Sequence, residues 1–172
     1  AILQPDQMNA EQKKLFDTIV AGPRAQNYGG EAAKRVLSGG PFNAWLRSPE
    51  LGYRLQAVGE HVRFNTSIPK RLNELAILIT AREWTSQYEW YAHAPLAEKA
   101  GVPKAAIEAI RTGGAPVFAA QDEALVHRLC SEIFRTQRLS DASFNEAVNA
   151  FGENGLVEVI DREGDAVHPD LV

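Results

Sequence analysis

The sequence predicts an all-α protein organised around a central helical hairpin. Three observations carry this expectation. Apolar residues recur at three- and four-residue spacing along most of the chain, helix caps and stops divide it at short intervals, and strand-like alternation is weak. With 172 residues, 45 % hydrophobic and 23 % charged, the chain has the size and composition of one globular domain. That domain is expected to span 1–172, with a core over about 9–151 and a polar tail over 152–172.

Taken in order, Asn9 is a cap for a helix carrying Leu15, Phe16, Ile19 and Val20, which Ala21-Gly22-Pro23 stops. A short helix over 31–37 is expected next, and Ser38-Gly39-Gly40-Pro41 punctuates the chain again. Ser48-Pro49-Glu50 reads as a helix start, with Leu51, Leu55, Val58 and Val62 as the apolar stripe of that helix. Ile68-Pro69 opens the central segment, and Gly101-Val102-Pro103 ends one helix and begins another over 104–111. Gly113-Gly114-Ala115-Pro116 precedes a helix over 122–138. Ser140 or Asp141 caps the last one, with Phe144, Val148 and Phe151 on one side. Only Leu156-Val157-Glu158-Val159-Ile160 reads as a strand.

The chemistry concentrates between Glu74 and His93. A single straight helix would hold those two residues about 28 Å apart at 1.5 Å per residue. Ser86, followed three residues later by Glu89, fits a capping box and offers a break at which the chain folds back. Glu89 and His93, four apart, then share a helix face, and Glu74 comes to them from the preceding helix. Trp84, Trp90 and Tyr91 supply aromatic surroundings. A histidine between carboxylates in a poorly solvated setting is suited to proton transfer: the carboxylates favour the imidazolium and burial opposes it. Set against this, Glu–His pairs at helical spacing are common on surfaces, and Ser86–Glu89 can be a cap and nothing more.

Composition narrows the classes. The net charge of −4, with Lys and Arg scattered, argues against nucleic-acid or anionic-membrane partners. The longest apolar run, Leu75 to Ala81, is too short to span a bilayer, and no secretory signal is visible, so a cytoplasmic protein is expected. Cys130, the lone cysteine, lies in an apolar helical run and reads as a buried small hydrophobe. His93 with Glu74 and Glu89 offers the donors of a one-histidine, two-carboxylate facial triad, and a two-histidine version would need His61 or His127 beside His93. Neither of those has ligand spacing, and His168 sits in the polar tail, so no metal is expected.

The segment from Glu74 to Gly101 resembles the central motif of the carboxymuconolactone decarboxylase and alkylhydroperoxidase D-like superfamily. In that motif a glutamate is followed twelve residues later by Cys-x-x-Cys and then by a histidine four residues on. Glu74, Ser86, Glu89 and His93 stand at those spacings, and Ala97 and Ala100-Gly101-Val102-Pro103 continue the likeness. Gly40 to Pro49 and the helix over 51–64 are similar as well, so the resemblance covers about 9–151. Both redox cysteines are replaced, by Ser86 and Glu89, which removes the attacking and resolving thiols of the peroxidase branch.

The resemblance therefore implies a cofactor-independent, decarboxylase-type lyase acting on a small carboxylated or lactone substrate, and a homo-oligomer with pockets near subunit contacts. His93 would be the proton donor, Glu74 its orienting partner and Glu89 a tuning carboxylate. Ser86, Trp84, Tyr88, Arg82 and Trp45 would shape the substrate pocket, with Arg82 meeting the substrate carboxylate. Two alternatives remain open: a hydroperoxidase-like oxidoreductase relying on Cys130, and a non-catalytic oligomeric binding protein. Family members of this length often carry another helix after the segment matching Phe151-Gly152. Here Asp161 to Asp165 reads as polar and turn-like, so that helix is expected to be missing.

Overall fold

The computed structural model describes residues 2–27 and 39–165. Among them are eight α-helices and no strand, as the periodicity predicts. The helix expected over 31–37, and His168, lie outside the described residues. The chain divides into two compact units, one ending at Asn65 and the other beginning at Thr66.

The first unit holds α1 (Ala10–Ala21), α2 (Gly40–Arg47) and α3 (Pro49–Phe64), with 3₁₀ turns at Pro5–Gln7 and Pro23–Asn27. Asn9 caps α1 through a reciprocal box. Its Oδ1 accepts from Gln12 N at 3.0 Å, and the Gln12 side chain accepts from Asn9 N at 2.9 Å. Leu3, Leu15, Phe16, Ile19, Phe42 and Leu46 form the core. Helix α3 starts at Pro49 as expected, although the Ser48 side chain makes no cap bond.

The apolar stripe expected on α3 is corrected. Leu51 and Val58 are about half exposed, and the buried line is Gly52, Gln56, Gly59 and Val62. The cause is close backbone approach: a Cβ on Gly52 would stand 2.6 Å from Leu15 Cδ2 and 2.7 Å from the Trp45 carbonyl oxygen. Gln56 stays buried because its side-chain oxygen accepts from the Arg24 guanidinium, while its amide donates to Glu60 at 2.8 Å.

The second unit holds α4 (Lys70–Glu83), α5 (Gln87–Ala100), α6 (Lys104–Thr112), α7 (Gln121–Thr136) and α8 (Asp141–Asp165). Every residue of α4 from Leu72 to Ala81 is buried, which is the signature of a helix enclosed on all sides. It packs against α5, α6, α7 and α8. Leu72, Leu75, Leu78, Ile79, Val126, Cys130 and Val159 fill the principal core, and Cys130 is the buried small residue its sequence setting implies. Gly101 (φ +104°) and Gly113 (φ +75°) end α5 and α6 in the left-handed conformation, which glycine adopts without a Cβ penalty. Ser140 caps α8, its Oγ accepting from Ser143 N at 3.3 Å.

Two expectations about the C-terminal segment are overturned. Leu156–Ile160 is helical, not a strand, and Asp161 to Asp165 continues that helix, so the segment after Gly152 is not a missing helix. Gly152 (φ +71°, ψ 171°) breaks α8, and the second half then packs by helical spacing, with Gly155, Leu156, Glu158 and Val159 buried. Glu158 anchors it: one carboxylate oxygen accepts from Ser67 N and Ser67 Oγ, each at 2.8 Å. Phe144, expected on the packed side of α8, is 47 % exposed.

Candidate acid–base site

The turn between α4 and α5 creates the site. Ser86 N–H donates to Ala81 O at 2.8 Å and Thr85 N–H to Arg82 O at 3.2 Å, the paired bonds of a Schellman stop, with Thr85 in the left-handed position at φ +53°. Ser86 then caps α5, its hydroxyl accepting from Glu89 N at 3.3 Å. The chain folds back against α4 as the sequence implies. Ser86 is buried in its capping role, with its hydroxyl committed to that backbone amide.

Only one half of the expected capping box forms. Ser86 N–H is taken by Ala81 O, and the Glu89 carboxylate is directed to the histidine instead. His93 Nδ1 lies 2.7 Å from Glu74 Oε2, and His93 Nε2 lies 3.3 Å from Glu89 Oε2. All three residues are buried: relative exposure is 3 % for His93, 5 % for Glu74 and 9 % for Glu89. A neutral imidazole has one N–H and one lone pair, whereas an imidazolium has two N–H groups. With a carboxylate oxygen at each ring nitrogen, the doubly protonated ring satisfies both contacts. A singly protonated ring does so when one carboxyl carries the other proton. The cluster can therefore store and pass a proton among three groups.

The five residues expected to shape a pocket each have a setting of their own. Ser86 is the cap, and Tyr88 is half-buried on α5. Arg82 is exposed, with its guanidinium at the end of α6, where a Cβ on Gly113 would lie 3.2 Å from Nη2. Trp45 belongs to the first unit, edge-on to Phe42 with ring centroids 5.2 Å apart. Trp84 is 53 % exposed and lines a cleft of about 390 Å³ with Glu83, Ile133, Phe134 and Gln137. The α7 residues of that cleft carry no sequence signal linking them to Trp84, since the pairing arises only from tertiary packing. Among the described residues, no group of three or more His, Cys, Asp or Glu side chains is arranged to hold a metal ion, and no helix is long and apolar enough to cross a membrane.

Fold and site together define an all-α protein with a buried Glu–His–Glu cluster at a helical hairpin. No family model, curated protein or solved structure matches the chain.

Proposed function

We propose that the chain is a cofactor-independent lyase, of the carboxymuconolactone decarboxylase type, that decarboxylates a small carboxylated or lactone-like substrate by general acid–base catalysis. The observation that carries this reading is the buried 2.7 Å contact between His93 Nδ1 and Glu74 Oε2, made between two helices. Glu74 fixes the ring and favours its protonated form, leaving Nε2 as the working nitrogen. Glu89 faces Nε2 at the longer distance, 3.3 Å, and its side chain is the most exposed of the three, so substrate would enter from that side.

In the reaction, the bond from carbon to the carboxylate breaks and its electron pair delocalises into a conjugated lactone carbonyl. Carbon dioxide departs, and the Nε2 proton passes to carbon. The substrate supplies the electron sink, so no organic cofactor is required by this chemistry. The same reading takes the protein as a cytoplasmic homo-oligomer with small-molecule substrates.

The test is His93→Gln assayed with carboxylated unsaturated lactones, following loss of the conjugated absorbance. Turnover should fall roughly 100-fold or more, the usual yield of a positioned general acid, with the helical circular dichroism intact. Undiminished turnover would sink the assignment.

A second reading is favoured by one specific observation: both ring nitrogens already face carboxylates, and all three residues are buried. In that reading the cluster clamps α4 to α5 and the protein is a non-catalytic binding module. Glu74→Gln would then lower stability, and the parent protein itself would turn over none of the lactones. The peroxidase alternative gains nothing, because Cys130 is fully buried and thiolate attack needs access.

A further inference from the structure

We infer that the cleft beside the hairpin turn is a binding site for a small organic cation with an apolar body, of the quaternary ammonium class. The site uses none of Glu74, Glu89 or His93. Its volume, about 390 Å³, falls within the roughly 300–1,000 Å³ of small-molecule pockets. Its walls are Trp84, Ile133 and Phe134, and its polar groups are Glu83 and Gln137.

Three features agree on the sign of the ligand. Glu83 is the one formally charged residue in the lining. Helix α4 ends at Glu83 and α7 at Thr136, so the carbonyl ends of two helices, both partially negative, meet at this cleft. Trp84 is 53 % exposed, leaving its indole, the strongest cation–π acceptor among side chains, open to a ligand.

No lysine or arginine lines the cleft, and the Arg82 guanidinium stands at Gly113. A hydrated metal ion does not suit the site, since one carboxylate against aromatic and aliphatic walls cannot replace a hydration shell. An alkylated ammonium needs no such replacement: its methyl groups pack on Trp84, Ile133 and Phe134 while its charge faces Glu83.

The probe is choline, with 3,3-dimethylbutan-1-ol as its neutral isostere, at matched ionic strength. Binding is read from the indole N–H resonance of Trp84 in the full chain, assigned by its disappearance in Trp84→Phe. Choline should shift that resonance saturably, and the isostere should bind roughly fivefold or more weakly. Glu83→Gln, an exposed and fold-neutral change, should weaken choline by a similar factor and leave the isostere unaffected. Equal affinity for choline and its isostere, an unchanged affinity in Glu83→Gln, or no saturable shift with choline would each overturn the inference.

Discussion

Thr85 stands at φ +53°, where a β-branched side chain crowds its own backbone, yet the Schellman stop of α4 requires a residue there. Thr85→Gly should relieve this and raise stability by about 1 kcal/mol, read from denaturant unfolding. A loss of stability would mean that the threonine side chain contributes more than its backbone costs. His127, half-buried on α7 with its ring 5.6 Å from that of Phe118, offers a second residue-level test. Burial holds its pKa below the ordinary 6.5, because the charged imidazole is the form that burial disfavours. The unfolded chain then takes up that proton more readily than the native one. The stability concerned is complete above pH 6.5 and is lost as pH falls through the lowered native value. Unfolding free energies measured from neutral pH to about pH 5 should therefore decline less in His127→Gln than in the parent. Identical slopes would show that the imidazole is as well hydrated in the native state as in the unfolded one.

Helix boundaries were legible in the sequence because caps and stops are local chemistry. Asn9, Ser86, Gly101, Gly113 and Ser140 each end or begin a helix where their side chains or backbone freedom imply. Buried faces were less legible. On α3 the sequence offers Leu51 and Val58, but the structure buries Gly52 and Gly59, because how closely a helix approaches its neighbours is not written in hydropathy. Gly52→Ala should therefore destabilise by about 1–3 kcal/mol, since its Cβ would meet the Trp45 carbonyl at 2.7 Å, a backbone atom that cannot rotate away. Leu51→Ala, on the exposed side, should cost far less by the same denaturant measurement. The β-branched run over 156–160 illustrates a different failure. Its local preference is for strand, and tertiary contacts override it, with Leu156 and Val159 entering the core at helical spacing and Glu158 held by Ser67.

At the scale of the second unit, α4 is the element on which the others depend. Ten consecutive buried residues mean that none of its faces is spared, and the hairpin that carries the Glu74–His93 contact uses it as one arm. The nineteen-residue separation of that pair is why spacing could suggest the cluster without establishing it. Ser86 signals a break, but only packing decides that Glu74 and His93 meet and that Glu89 turns to the ring instead of the cap. Leu75, fully buried next to Glu74, joins the core that α5, α7 and α8 share. Leu75→Ala should cost about 2–5 kcal/mol as a cavity in a close-packed interior. Because that core is common to several helices, amide exchange should accelerate together in α4, α5, α7 and α8 instead of in α4 alone. The Glu89–His93 pair, four apart on one helix, survives local fraying of α4, but the Glu74–His93 contact does not. Loss of the His93–Glu74 coupling should therefore track the exchange rates of α4 in this variant, observed as a change in the His93 ring proton resonances. Exchange confined to α4, with those resonances unmoved, would show that the hairpin holds its cluster without support from the surrounding helices.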